Sequence, residues 1–274
     1  MMTKTYAVIG DPIDHSLSPN IHNVAFKELQ LDCAYIAYRI PKGELADGLE
    51  GLKKIKISGF NVTIPHKIEI MKYLDNVDED CSIIGASNTV TNNDGMLKGY
   101  NTDMDGFLDP IKRKSLSIDG KEVLLLGAGG AARAIVAGLA KEKVRLVTIA
   151  NRTNEKADTL TKFAQKIGVE ANTISLEDLG KNAIDYKLIV NATPIGLKNE
   201  PTSIPTKIIN ENTIVYDIVY TPLNTDLIKK AKEIGATVIY GYEMLLGQAI
   251  RAFEIWHKTQ APYDIMKRAI LGGF

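Results

Sequence analysis

The sequence predicts an α/β fold with two domains, a mixed α/β domain first and a doubly wound parallel sheet second. A glycine-rich turn joins a strand of apolar residues at 123–126 to an alanine-rich helix at 131–140, which is typical of a parallel sheet. From residue 121 onward strands and helices alternate along the chain, as they do in doubly wound folds. Earlier, the turn Asn93-Asp94-Gly95 between two β-prone stretches predicts an antiparallel hairpin, so the first sheet is expected to be mixed.

Length and composition narrow the class of protein. The chain has 274 residues with 33 basic and 33 acidic side chains, and this balance gives no indication of a nucleic-acid or membrane partner. No apolar run has the length of a signal peptide or a membrane span, so we expect a cytoplasmic protein. Cys33 and Cys81 lack metal-ligand spacing, and we expect both to be buried and reduced, with no metal site in the protein.

The N-terminal part of the chain alternates between strand and helix patterns before it reaches the hairpin. Lys67 follows a β-prone stretch and opens an expected helix that extends to Leu74. A loop at the end of a strand is where α/β proteins place ligand-binding groups, although most lysines are solvated surface residues. The expected strands are residues 5–9, 34–40, 60–64, 86–91 (which includes Asn88) and 96–100, and the expected helices are residues 19–29 and 43–54.

Two serines come just before the first expected helix. Ser18-Pro19 has the pattern of a helix N-cap followed by a proline at the first helical position. Ser16 and Ser18 could instead hydrogen-bond a polyhydroxyl ligand, and the residues alone leave both interpretations open. Thr102 or Asp103 could likewise be the cap of a helix that starts near Met104.

The second domain is expected to begin after a polar hinge at residues 103–119. Its pattern of short strands and intervening helices is that of a Rossmann-like doubly wound sheet. The expected strands are residues 123–126, 144–150, 169–174, 186–190, 213–220 and 237–239, and the helices are residues 131–140, 154–167 and 225–234, followed by two last helices at 242–259 and 263–271.

The glycine-rich turn indicates an anion-binding site. Free backbone N–H groups at a helix N-terminus attract a phosphate; Gly127 would allow the tight turn and Gly129 a close approach of the ligand. A plain glycine turn is the alternative. The next strand ends in Asn151-Arg152-Thr153, with no carboxylate to accept from a ribose 2′-hydroxyl, and this favours NADP because a guanidinium suits a 2′-phosphate. The alternative is an exposed arginine beside a helix cap.

Many short motifs occur together in one order. They are Gly10-Asp11-Pro12, His15-Ser16-Leu17-Ser18-Pro19, Asn61-Val62-Thr63-Ile64-Pro65-His66-Lys67, Ala86-Ser87-Asn88-Thr89, Asn101-Thr102-Asp103, the glycine-rich turn, Asn151-Arg152-Thr153, Asn191-Ala192-Thr193, Asp217-Ile218-Val219-Tyr220 and Met244-Leu245-Leu246-Gly247-Gln248-Ala249. With these motifs the chain resembles the shikimate dehydrogenase family over nearly its full length.

The resemblance implies reversible reduction of 3-dehydroshikimate to shikimate by NADPH, with Lys67 and Asp103 as the catalytic pair. It implies substrate binding by Ser16, Ser18, Thr63, Lys67, Asn88, Asp103, Tyr220 and Gln248. For the cofactor it implies Gly127, Ala128, Gly129, Gly130, Ala131, Asn151, Arg152, Thr153, Thr193, Ile218 and Gly241, while Glu79 aligns by spacing alone.

The resemblance also implies a discontinuous first domain. Residues 1–103 and 241–274 would bind the substrate and residues 104–240 would bind NADP, with the C-terminal helices returning to the first domain. The chemistry agrees with these roles, because hydride addition to a ketone places negative charge on its oxygen, beside which a protonated lysine can donate.

The sequence is also compatible with other functions. The same fold could act on quinate, or on both quinate and shikimate, although such relatives tend to accept NAD. A non-catalytic NADP-binding regulator is a less favoured alternative, since it would have no need for Lys67 and Asp103 together. The sequence leaves open whether the protein is a monomer or a homodimer.

Overall fold

The computed structural model describes residues 3–181 and 184–272. The chain divides into two compact units. The first unit contains the chain up to Gly106 together with the segment that begins at Leu246, and the second unit runs from Phe107 to Leu245. Each unit has its own six-stranded sheet.

The sheet of the first unit is mixed. Its strands lie in the order β2-β1-β3-β5-β6-β4; β1 is parallel to β2 and β3, whereas β5 is antiparallel to β3 and β6. The expected hairpin is therefore present, with Asp94 and Gly95 as its two turn residues, both at positive φ. The six strands are β1 (Lys4–Gly10), β2 (Cys33–Arg39), β3 (Gly59–Val62), β4 (Asn76–Val77), β5 (Thr89–Asn93) and β6 (Met96–Tyr100).

The helices of this part of the chain are α1 (Ser18–Glu28), α2 (Leu45–Lys54), α3 (Glu79–Ile84) and α4 (Asp103–Arg113). Three local expectations were wrong. Leu17 is the N-cap of α1 and Ser18 is already helical, without a side-chain cap bond. The segment after Lys67 forms only a short 3₁₀ helix, Glu69–Tyr73. Asn88 lies just before β5, because the strand starts at Thr89.

The second unit contains a doubly wound, fully parallel sheet, so the predicted fold class is confirmed. The strand order is β12-β11-β10-β7-β8-β9, with β7 next to both β8 and β10. Some of the apolar residues of its strands and helices form a buried cluster that includes Leu124, Ile189 and Val215. The elements are β7 (Glu122–Leu126), α5 (Gly130–Lys141), β8 (Leu146–Ala150), α6 (Asn154–Lys166), β9 (Ala171–Ile174), β10 (Leu188–Asn191), β11 (Ile214–Asp217), α7 (Asp226–Ile234) and β12 (Thr237–Tyr240).

Two helices close the chain, α8 (Gly241–His257) and α9 (Tyr263–Leu271). The end of the chain packs on the first unit: Trp256 Nε1 of α8 donates to the carbonyl of Val90 at 3.0 Å, and Asn20 Nδ2 of α1 donates to the carbonyl of Ala269 in α9 at 3.0 Å. The first unit is therefore built from both ends of the described chain.

Both cysteines are free thiols, but only Cys81 is buried, because Cys33 starts the edge strand β2 and is half-buried. Among residues 3–181 and 184–272, no helix combines the length and the apolar character needed to cross a membrane.

Candidate active site

Lys67 lies in the turn that follows β3 in the first unit. Its carbonyl accepts a hydrogen bond from the N–H of Ser87 at 2.8 Å, which fixes the turn against the segment that leads into β5. Its ammonium forms an ion pair with Asp103, and the two side chains are only 15% and 7% exposed. Because the pair is sheltered from water, the attraction between its two charges is stronger than in a surface pair.

Asp103 is the first residue of α4, where the helix dipole favours a negative charge. Its N–H donates to Oδ1 of Asn101 at 3.1 Å, and Nδ2 of Asn101 in turn donates to the carbonyl of Ala86 at 2.8 Å. The backbone of Asp103 is therefore connected by hydrogen bonds, through Asn101, to both ends of the β5–β6 hairpin.

Asn88 connects these groups at the other end of the hairpin. Its Nδ2 donates to Oδ1 of Asp103 at 2.8 Å and to Oγ1 of Thr102 at 3.0 Å, while its Oδ1 accepts from the N–H of Thr102 at 2.7 Å. One carboxylate oxygen of Asp103 thus contacts the amide and the other contacts the ammonium of Lys67. Lys67, Asn88 and Asp103 therefore form one hydrogen-bonded array.

The other predicted substrate residues lie at separate positions. Ser16 precedes α1 and its Oγ accepts from the N–H of Ser18 at 3.3 Å. Thr63 is half-buried directly after β3, and Gln248 is a buried residue of α8. Tyr220 belongs to the second unit, where burial raises the pKa of its phenol.

In the second unit the predicted phosphate loop has the geometry that the motif requires. Gly127 has φ +106°, and a Cβ at this position would lie 2.6 Å from the carbonyl oxygen of Ala192, so only glycine fits. Gly129 is the N-cap of α5, and a Cβ there would meet no atom within 4 Å. No side chain therefore covers the backbone at Gly129, where α5 begins. An anion site needs this access to the N–H groups at the helix N-terminus.

The carboxyl ends of β10 and β11 are joined by a buried polar network. Nδ2 of Asn191 donates to Oδ1 of Asp217 at 2.9 Å, and its Oδ1 accepts from the hydroxyl of Thr193 at 2.6 Å. Thr225 donates to Oδ2 of Asp217 at 2.6 Å. Burial raises the pKa of the Asp217 carboxyl, although these hydrogen bonds oppose that effect. Thr193 also lies next to the glycine loop, because Ala192, the residue before it, contacts Gly127.

Two more predicted cofactor residues, which follow the carboxyl ends of neighbouring strands, lie next to each other. A Cβ at Gly241 would lie 2.5 Å from the carbonyl oxygens of Ile218 and Val219, so this glycine allows the start of α8 to approach the loop after β11. Gly241 and Ile218 are therefore neighbours, which their separation in sequence did not indicate.

A backbone hydrogen bond joins the glycine loop to the end of β8: the N–H of Gly127 donates to the carbonyl of Ala150 at 2.8 Å. The segment that follows β8 therefore begins next to the glycine loop. Arg152 is exposed there, and Nδ2 of Asn151 donates to the carbonyl of Thr153 at 2.8 Å. Thr153 is the N-cap of α6 but makes no side-chain cap bond. Glu79 is an exposed residue at the start of α3 in the first unit.

The sequence does not predict several positioning residues. It indicates Thr102 only as a possible cap, and it predicts no separate role for Asn191 or Asp217. The available signal was a polar residue at the end of a strongly apolar strand, since such a side chain is buried and must find a partner. Among the residues that the structure describes, no group of three or more His, Cys, Asp or Glu side chains is arranged to hold a metal ion.

A glycine loop at the switch point of a doubly wound sheet defines a dinucleotide-binding class of protein. The first unit adds an ion pair of Lys67 and Asp103 that is largely sheltered from water. Comparison with known families then identifies the chain more closely. The profile of the shikimate dehydrogenase substrate binding domain matches residues 8–90, that of shikimate / quinate 5-dehydrogenase matches residues 110–215, and that of the shikimate 5′-dehydrogenase C-terminal domain matches residues 241–271.

Individual proteins that are similar to this chain carry the same family name as these profiles. The shikimate dehydrogenase (NADP(+)) of Nitrosopumilus maritimus is 68% identical over 273 residues, which covers 100% of both chains. A solved shikimate dehydrogenase in complex with NADP+ is 40% identical, with a TM-score of 0.90 over 99% of this chain and 96% of that one. The enzyme from Listeria monocytogenes, solved with shikimate and NAD, is 36% identical, with a TM-score of 0.90 over 97% and 96% of the two chains. The chain belongs to the shikimate dehydrogenase family.

Proposed function

We propose that this protein is an NADP-dependent shikimate dehydrogenase that reversibly reduces 3-dehydroshikimate to shikimate in the route to chorismate and the aromatic amino acids. The observation that carries the proposal is the 68% identity, over the full chain, to a relative named shikimate dehydrogenase (NADP(+)). The ion pair of Lys67 and Asp103 supports it, because ketone reduction needs a proton donor sheltered from water.

In this proposal Lys67 and Asp103 are the catalytic residues. NADPH supplies the hydride. Lys67 donates a proton to the oxygen of the ketone as negative charge builds there, and Asp103 orients the ammonium and accepts from a neighbouring substrate hydroxyl. In the reverse direction the same lysine takes the proton from the shikimate hydroxyl. The amide of Asn88 keeps the carboxylate in place through its 2.8 Å hydrogen bond.

The remaining predicted residues take binding roles. Ser16, Ser18, Thr63, Asn88, Tyr220 and Gln248 would hold the hydroxyls and carboxylate of the substrate. The glycine loop and the N-terminus of α5 fit a pyrophosphate, since a Cβ at Gly129 would meet no atom within 4 Å. Residues 127–131, 151–153, Thr193, Ile218 and Gly241 would bind NADP, with Arg152 on the 2′-phosphate, and Glu79 is assigned to the cofactor by spacing alone.

The proposal extends to the organisation of the protein. Residues 1–103 and 241–274 form the substrate domain and residues 104–240 the NADP domain. We expect the protein to act in the cytoplasm, in keeping with its free thiols. Either a monomer or a homodimer is compatible with these assignments, and light scattering in solution distinguishes the two.

The test is an assay of the purified protein with shikimate and quinate, each with NADP and NAD, followed at the nicotinamide absorbance. We expect the largest kcat/KM for shikimate with NADP. A second candidate, activity on quinate as well, is favoured by the description of the central family profile as shikimate / quinate 5-dehydrogenase. Equal rates on quinate would support that candidate, and no turnover of either acid would refute both.

A further inference from the structure

Tyr35 lies in the middle of the edge strand β2, and its backbone, its ring and its hydroxyl all make contacts with neighbouring residues. It is 2% exposed. Its N–H donates to Oδ1 of Asn23 and its carbonyl accepts from Nδ2 of the same side chain, both at 2.8 Å. Its ring stacks on that of His22, with the centroids 4.5 Å apart and the planes 9° from parallel. Both partners belong to α1, so the helix fixes the backbone and the ring of Tyr35 together.

The hydroxyl of Tyr35 is thereby directed at Asn61, the polar residue inside β3. It donates to Oδ1 of Asn61 at 2.6 Å. Burial raises the pKa of this phenol well above its ordinary value, so the hydroxyl keeps the proton that it donates.

The amide of Asn61 has its orientation set by this contact. Its Nδ2 donates to the carbonyl of Asn88 at 3.0 Å and to Oγ1 of Thr89 at 2.9 Å, while its Oδ1 faces the tyrosine. Asn61 is 5% exposed. Without the hydroxyl, the buried Oδ1 would lose its donor and the amide would be held from its Nδ2 side alone, which is costly for a buried polar group and loosens its position.

The array continues from Asn61 to the proposed catalytic pair. Oγ1 of Thr89 donates to Oδ1 of Asn88 at 3.1 Å, and Nδ2 of Asn88 donates to Oδ1 of Asp103 at 2.8 Å. Each donor in this series therefore determines which way the next amide faces, and the series ends at the carboxylate that pairs with Lys67.

We propose that Tyr35 is a positioning residue for the reaction, whose hydroxyl fixes the amide of Asn61 and through it the array of Asn88, Asp103 and Lys67. This inference rests on the proposed function, since Tyr35 acts on the orientation of groups that would otherwise be present but loosely held.

The test is Tyr35→Phe, with Tyr6→Phe as the matched control. Tyr6 is the residue opposite Tyr35 in the register of β1 and β2, and it is also buried. We expect kcat/KM for shikimate to fall by roughly five- to tenfold in Tyr35→Phe, the range for one lost hydrogen bond. KM for NADP should stay at the wild-type value, and Tyr6→Phe should change neither constant. Wild-type kinetics in Tyr35→Phe, whatever its melting temperature, would overturn the inference.

Two further experiments distinguish failure of the inference from misfolding of the variant and from failure of the proposed function. If Tyr35→Phe does not fold, 3-fluorotyrosine incorporated at position 35 keeps the ring and makes the hydroxyl a stronger donor; the pH–rate profile should then move, whereas the same residue at position 6 should leave it in place. A profile unmoved at position 35 counts against the inference. If the wild type does not turn over shikimate, the proposed function fails. The NMR signals of the Asn61 and Asn88 side-chain amides then decide: they should broaden in Tyr35→Phe alone, and unchanged signals overturn the positioning role.

Discussion

Lys67 is the residue whose replacement separates chemistry from binding. Lys67→Ala removes the cation that pairs with Asp103, and we expect kcat to fall by about a hundredfold or more, the usual loss when an acid–base group is removed. KM for shikimate should change much less. Steady-state kinetics measure both constants. Lys72→Ala, an exposed lysine in the next 3₁₀ turn, serves as the control and should be normal. A raised KM with normal kcat would make Lys67 a binding residue.

Arg152 is exposed after β8, so its replacement should have little effect on folding. A charge-assisted bond to a phosphate contributes roughly 1.5–3 kcal/mol, which is about ten- to a hundredfold in affinity. We expect Arg152→Ala to weaken NADP by that factor and to leave NAD almost unchanged, as measured by kcat/KM for each cofactor. Lys162→Ala, an exposed cation on α6, controls for the loss of charge. An equal loss for both cofactors would show that Arg152 does not recognise the 2′-phosphate.

At the scale of elements, the β7–turn–α5 unit allows two glycines to be compared. We expect Gly127→Ala to destabilise the protein by about 1–3 kcal/mol, because its φ of +106° and the Ala192 carbonyl both exclude a Cβ. Gly129→Ala should keep the melting temperature, since a Cβ there meets no atom within 4 Å, but should weaken NADP by covering the N–H groups of the helix. Thermal unfolding and NADP titration measure the two effects. Equal melting temperatures, or unchanged NADP binding in Gly129→Ala, would contradict this division.

The type and order of the longer elements could be predicted from the sequence, because alternation and apolar runs persist over several turns or residues. Short elements could not. β4 has two residues and α3 has six, too few for periodicity to appear. The apolar pattern after Lys67 resembles that of an α-helix, but the segment forms only a short 3₁₀ helix. Lys67 itself accepts a hydrogen bond from Ser87, which is a tertiary contact that local sequence does not reveal.

The site was predictable to a similar extent. A lysine after a strand and a glycine loop before a helix are local signals. The pairing of Lys67 with Asp103 spans 36 positions, and only the family resemblance indicated it. Asn61 and Asp217 gained their structural roles from partners 26 or more positions distant, so the sequence alone did not assign them.

For the whole molecule, the pH dependence of stability should depend on His22. This side chain is fully buried against Tyr35 and Phe253, and neither ring nitrogen has a hydrogen-bond partner among the described residues. Burial lowers its pKa to about 3, and the neighbouring His257 adds to the shift. Because the unfolded chain then binds a proton below about pH 6.5 that the folded chain does not, stability is lost as the pH falls.

The expected loss from His22 alone between pH 6.5 and 5 is about 2 kcal/mol. His22→Phe keeps a ring against Tyr35 and should remove this part of the acid sensitivity. Urea unfolding at the two pH values measures the difference, and His15→Ala, an exposed histidine, is the control. The same pH dependence in His22→Phe and in the wild type would mean that other groups cause the acid loss.

The division of the chain also has a consequence for biosynthesis. The second unit ends at Leu245, whereas the first unit needs α8 and α9 from the end of the chain. During translation, the segment up to Gly106 therefore leaves the ribosome first but cannot complete its packing until after the second unit has been made. Domains usually fold in the order in which they are synthesised. Here we expect the reverse order, because the N-terminal sheet stays without its C-terminal helices while residues 107–245 are synthesised.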